Sequence, residues 1–219
     1  MVTTVREPRE LLTGLQNAGV ARLYLMLLRG AERRGAAVAV HRGSLLAGLH
    51  GRVLELGAGK GLNFAYYPPT VSEVVATEPD VLLREQALAQ SARSPVRVSV
   101  LADAAAVATT SCDAAVVSLV LCTVPDPGAA MAQARRTLRP GGELRFYEHV
   151  RSERAWVAGL QQVFDPGWSR IAEGCHTNRN TLATIRSAGF SLGDVDRFSF
   201  RPGVIAPPMP HVLGRAHRV

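Results

Sequence analysis

Residues 54–64 read LELGAGKGLNF, and the three alternating glycines, Gly57, Gly59 and Gly61, follow directly on an apolar run. Glycines at that spacing let a backbone turn tightly and approach a ligand closely, because no Cβ stands in the way. An apolar run, a glycine loop and then a helical pattern is the opening unit of a parallel α/β sheet. Four more apolar runs follow: SEVVATE (72–78), VRVSVLA (96–102), DAAVVSLVL (113–121) and GELRFYEHV (142–150). They are nearly continuous rather than alternating, as expected of strands covered on both faces. Between them, Pro79 to Gln90 has a helical pattern. Asp126-Pro127 supplies a cap and a first-turn proline for AAMAQARRTL, which stops at Arg139-Pro140-Gly141-Gly142. Two further strands are expected near Asp194–Arg201 and His211–Arg218, on either side of the proline-rich stretch 202–210. The pattern predicts an α/β fold, a doubly wound Rossmann-like seven-stranded sheet.

At 219 residues the chain suits one domain with one core. Within a single domain 1–219, residues 1–50 are expected to form an N-terminal helical lid. Residues 51–150 would be the ligand-binding core, and 151–219 cap helices with the final strand pair. In the lid, Leu11, Leu12, Leu15, Leu23, Met26 and Leu27 fall at helical spacing. The run 23–28, followed by Arg29, Arg33 and Arg34, also fits peripheral membrane contact. Beyond residue 150 the chain reads as helical to Gly189, with a helix start at Asn180 or Thr181. The net charge of +7 comes from arginines scattered along the chain, and aromatics are only 5%, so no nucleic-acid surface is expected. Cys112, Cys122 and Cys175 are odd in number and lack CxxC spacing, which argues against disulfides and a structural zinc site and fits a reducing cytoplasm. No signal-peptide pattern or transmembrane segment is read, so the expectation is a cytoplasmic monomer or homodimer.

The ligand of the loop is narrowed by what fails. A phosphate loop of the GxxxxGK[ST] type needs glycine at 54 and a hydroxyl at 61, where the chain has Leu54 and Gly61. A dinucleotide fingerprint needs glycine at 62, which is Leu62. The pattern that fits is ExGxGxG, starting at Glu55, an acid that suits a ligand amine better than a pyrophosphate. Glu78, at the end of the second run, is placed to accept both hydroxyls of a ribose. Asp103, at the end of the third, is placed to receive an adenine amine. Lys60, the only lysine in the chain, is expected to point to solvent.

This ordered set resembles the class I S-adenosylmethionine-dependent methyltransferases over about residues 50–150. LCTVPD (121–126), LRPGGELRFYEHV (138–150), QQVFDPGW (161–168), EGCHTNR (173–179) and PHVLGRA (210–216) extend the likeness to the methyltransferase-like family whose animal members are microsomal alkyl thiol S-methyltransferases. The animal members carry an N-terminal membrane anchor, and none is expected here. The resemblance implies S-adenosyl-L-methionine as cofactor, S-adenosyl-L-homocysteine as product, and no metal. It adds Ala58, Asn63, Pro79, Ala104, Leu121 and Cys122 to the cofactor side. Tyr24 looks like a tyrosine of bacterial relatives that closes over the methionine end, although Leu25 replaces the aspartate that usually follows it.

Methyl transfer from a sulfonium is an in-line displacement in which the protein supplies alignment. A thiol acceptor, with a pKa of about 8.5, needs little basic help. His149, beside Glu148, reads either as a base or orienter or as a structural histidine. Cys122 reads as a small buried pocket residue, since no covalent step is needed. Thr123 and Tyr147 fall at the acceptor end, and Cys175 and His176 read as part of a cap. Trp156, Phe164 and Trp168 fit either core packing or an apolar wall for a lipophilic thiol. The implied activity is S-methylation of a small-molecule thiol, in detoxification or in natural-product tailoring and self-protection. The alternative is O- or N-methylation of a phenol, amine or phospholipid headgroup.

Overall fold

The structure is a computed structural model, and it describes residues 37–172, 174–200 and 208–219. Tyr24 and most of the expected lid lie outside the described residues. The strands are β1 (Gly51–Leu56), β2 (Val71–Thr77), β3 (Val98–Leu101), β4 (Cys112–Ser118), β5 (Leu138–His149), β6 (Phe190–Phe200) and β7 (Met209–Arg218). The helices are α1 (37–46), α2 (Val81–Ser91), α3 (Pro127–Thr137), α4 (Ala155–Ile171) and α5 (Thr181–Ser187). One seven-stranded sheet runs in the order β3-β2-β1-β4-β5-β7-β6. Its first five strands are parallel and β7 is antiparallel to both neighbours, so the expected α/β Rossmann-like sheet is what forms.

The continuous apolar runs divide by pleat. Leu54, Val75, Ala115, Val117, Leu144 and Phe146 face a core with Met131 and Ile185 from α3 and α5. Their alternates Val53, Val74, Ala76, Ala114, Val116 and Tyr147 face Leu45, Leu46 and Leu49 from α1 and the turn after it. Asp126 and Asn180 cap helix starts where expected, accepting the amides of Ala129 and Ala183, and Asp80 caps α2 through the Leu83 amide. Gly189 takes the left-handed φ of +83° that stops α5.

Two expectations change. The stretch Arg139–Gly142 does not break the chain before β5. It forms an irregularity inside the strand, which already pairs at Leu138 with Cys112 and resumes at Glu143 opposite Ala114. The region after 150 is not helical throughout either: α4 ends at Ile171, and α5 starts at Thr181, where a helix start is expected. Between α4 and α5, Gly174 takes a left-handed φ of +84°, and Asp165 accepts the Thr177 amide at 3.1 Å, drawing the chain back along α4.

Candidate functional site

Strand order reverses between β1 and β4, and ligands of such sheets bind beyond the carboxyl ends of the strands at that crevice. The loop after β1 carries Gly57, Gly59 and Gly61 at φ +63°, +55° and +75°. A side chain on Gly57 would meet Val120 at 2.8 Å, so the loops after β1 and β4 touch. A side chain on Gly61 would strike Phe64 at 2.6 Å. At Gly59 a Cβ would meet nothing within 4 Å, so this glycine borders open space.

Glu55 lies beneath the loop, 1% exposed. Its carboxylate accepts from Asn63 Nδ2 at 2.8 Å and from the Tyr67 hydroxyl at 2.7 Å, and Arg42 of α1 donates to Asn63 Oδ1. Burial pushes Glu55 up to about 7, against the pull of those two hydrogen bonds and of Arg42. Both carboxylate oxygens are therefore held by protein donors, and Glu55 shapes the loop from below. Glu78, after β2, accepts the Gly59 amide at 2.8 Å and the Asp80 amide at 3.0 Å, which pins the tip of the glycine loop to the second strand end. Pro79 is exposed beside it. Asp103, after β3, is exposed and accepts the Ala105 amide at 2.8 Å, with Ala104 buried behind it. Ala58 is buried and donates its amide to Thr77 at 2.9 Å. Glu55, expected to face a ligand amine, is instead turned into the protein; Glu78 and Asp103 at the next two strand ends, beside an open glycine, form a cradle that fits an adenosine.

The loop after β4 is organised from within. Leu119 takes a left-handed φ of +59°, which turns the amides that follow toward β5. Glu148, 0% exposed, accepts from Val120 at 2.8 Å, Leu121 at 3.0 Å and Cys122 at 3.1 Å. Burial holds its pKa well above the usual carboxylate range, although those three amides pull it down. All of its bonds go to backbone, so it is a loop organiser rather than a group facing a ligand. Thr123 caps the same turn through a 3.1 Å bond to Leu119 O, and Tyr147 is buried on the α1 side against Phe198 and His211.

His149 ends β5. Its Nδ1 lies 3.6 Å from Cys122 Sγ and 3.2 Å from Cys175 Sγ, and its Nε2 is buried without a hydrogen-bond partner among the described residues. The Cys122 thiol is pushed up to about 12 by its hydrogen bond with Cys175 and by burial, while the same bond lowers Cys175. His211 packs on His149 at 4.2 Å between ring centres and is pushed down to about 3, mainly by burial. His176 is docked on the β4 loop through its amide, 2.6 Å from Cys122 O, and its Nδ1 lies 2.6 Å from Asp165 Oδ2.

Trp156 and Phe164 are not core residues: they are 68% and 66% exposed. With Leu160, Trp168, Asp165 and His211 they line a cavity of about 1170 Å³ between α4 and the start of β7. Residue-by-residue reading missed Arg42, Tyr67, Asp165 and Arg179. Arg179 binds Leu121 O and Val124 O at 2.6 Å each, holding the β4 loop from the cap side. Asp165 and Arg179 lie inside the stretches QQVFDPGW and EGCHTNR that carry the family likeness, which was the signal for them. Among the described residues, no helix is long and apolar enough to cross a membrane.

Comparison with known proteins agrees with this geometry. Residues 54–146 match the methyltransferase domain family. The human thiol S-methyltransferase TMT1B is 36% identical over 180 residues, covering 78% of this chain and 73% of the human protein. Human thiol S-methyltransferase TMT1A is 34% identical over 146 residues, covering 64% of this chain and 59% of its own. Among solved structures, geranyl diphosphate methyltransferase in complex with S-adenosylmethionine superimposes with a TM-score of 0.64 at 14% identity, over 97% of this chain and 95% of that one, a likeness of fold alone. A glycine cradle ringed by acids, a β4 loop locked onto β5 and relatives alike over most of their length lead to one conclusion: the chain is an S-adenosylmethionine-dependent methyltransferase and belongs to the thiol S-methyltransferase family.

Proposed function

We propose that this enzyme S-methylates small lipophilic thiols. S-adenosylmethionine supplies an electrophilic methyl on a sulfonium, and the chain's residues bind, orient and accept a proton. Glu78 and Asp103 would hold the ribose and adenine, and the glycine loop braced by Glu55 and Asn63 would hold the amino-acid end. Ala58, Pro79, Ala104, Leu121 and Cys122 would line that side.

The observation that carries the reading is the Asp165–His176 pair, 2.6 Å apart, in which Asp165 lines the same cavity as Trp156, Phe164 and Trp168. Asp165 fixes Nδ1–H, which leaves Nε2 as the lone pair for the thiol proton. The new S–CH3 bond then forms as the sulfonium–CH3 bond breaks, giving a thioether. A single imidazole suffices for a thiol, whereas an aliphatic alcohol, far less acidic, needs stronger activation.

Purified protein with labelled S-adenosylmethionine is expected to methylate a hydrophobic thiol in preference to its phenol and amine counterparts. Transfer to the phenol with none to any thiol would overturn the assignment in favour of O-methylation. Asp165→Asn and His176→Ala are each expected to lower kcat/KM for the thiol about 100-fold, the usual size of a lost proton-transfer group.

A further inference from the structure

We infer that Cys122, His149 and Cys175 form a three-ligand site for a soft divalent cation of the zinc type, with the fourth position open to a sulfur donor. The three come from three elements: the loop after β4, the last residue of β5, and the segment between α4 and α5. All three are buried, and their ligand atoms lie within 4.8 Å of one another. Zn–S bonds of about 2.3 Å and Zn–N bonds of about 2.0 Å in a tetrahedron put sulfur about 3.5 Å from nitrogen. The observed Nδ1–Sγ separations are 3.6 and 3.2 Å.

Hydrogen bonding gives Nδ1 to one sulfur and leaves the two sulfurs to bond each other. A neutral imidazole nitrogen offers either one lone pair or one N–H, and both sulfurs converge on the same Nδ1. A cation serves both sulfurs and the nitrogen together. Two thiolates also balance a double positive charge, which a buried site requires. Two thiolates and an imidazole are the donor set that soft and borderline metals favour.

The ligands are held in place by their backbones. The Cys122 amide is bonded to Glu148 at 3.1 Å, and its carbonyl accepts the His176 amide at 2.6 Å. The Cys175 amide is bonded to Ala172 O at 2.9 Å. Such support around a ligand set fixes metal geometry. Among the described residues no fourth His, Cys, Asp or Glu joins the three. Structural zinc takes four protein ligands, whereas working sites keep one position open. That open position lies where the β4 loop meets the cap, and assigning it to the acceptor sulfur rests on the thiol reading above. Bound there, the acceptor would pass its S–H proton to His176, the base of that reading, and stay as a thiolate.

Metal content tests the site independently of turnover. Full-length protein is expected to carry about one zinc per chain by mass spectrometry of the metal. After depletion, cobalt(II) should give the intense absorption of tetrahedral thiolate coordination. Cys122→Ser and Cys175→Ser should lose both signals, while Cys112→Ser, a buried cysteine outside the cluster, should keep them. Circular dichroism and a cooperative thermal transition show whether each variant is folded. Metal-free protein with no cobalt band would overturn the site, as would equal metal in folded Cys122→Ser and Cys175→Ser. So would an intact mass two daltons low, marking a Cys122–Cys175 disulfide. Titrating a hydrophobic thiol into the cobalt protein should shift the band, and an unchanged band would overturn coordination of the acceptor. Thiol methylation by protein shown to be metal-free would leave the function standing and remove the metal.

Discussion

At the scale of the residue, two buried carboxylates do different jobs. Glu148 satisfies three amides, and Glu148→Ala leaves them buried without an acceptor. At about 1–3 kcal/mol for each such group, the loss of stability should reach about 3 kcal/mol or more in urea denaturation. Glu148→Gln, which keeps one oxygen for Val120 and Leu121, should fall between. Glu55 is the pH-sensitive member. Its folded pKa of about 7 lies above its ordinary value of 4.5, so folding favours the protonated acid. The stability it contributes is complete at pH 4 and is lost as the pH rises to about 7, an effect of up to about 3 kcal/mol. Comparing cofactor-free protein with Glu55→Gln by denaturation at pH 5 and pH 8 isolates it: the difference in stability between the two proteins should change across this range. The presence of Glu55 in the loop was legible in sequence, but its pairing with Asn63, Tyr67 and Arg42 was not. Arg42 belongs to α1, and only the fold brings it to the glycine loop.

At the scale of the element, the glycine loop separates binding from packing. A Cβ at Gly59 has nothing within 4 Å, so the expected cost of Gly59→Arg is loss of S-adenosylhomocysteine binding by calorimetry, with about 1 kcal/mol of backbone strain from φ +55°. Gly61→Ala drives a methyl against Phe64 and the Ala87 backbone, so the expected result is a lower melting temperature. The strands and the cofactor loop were legible because each acid sits at the end of an apolar run, in chain order. The cap was less so. Its apolar periodicity reads through Gly174, and only the Asp165–Thr177 bond reveals that the chain reverses there.

At the scale of the whole molecule, sheet order does what linear spacing cannot. Cys122 and His149 are 27 residues apart and Cys175 another 26, so no ligand motif is visible, yet β4 and β5 are neighbours and the cap folds over both. The same topology puts the Asp165–His176 pair over the β4 loop; on sequence His176 falls in the cap over the acceptor, while Asp165 has no part. The fold also bears on the alternative acceptors. Three successive amides converging at a loop make a nest for an anion, and in this protein the nest is filled by the chain's own Glu148. A phosphate-bearing headgroup arriving at the end of β4 would find those three donors taken, so this loop offers it no anion nest.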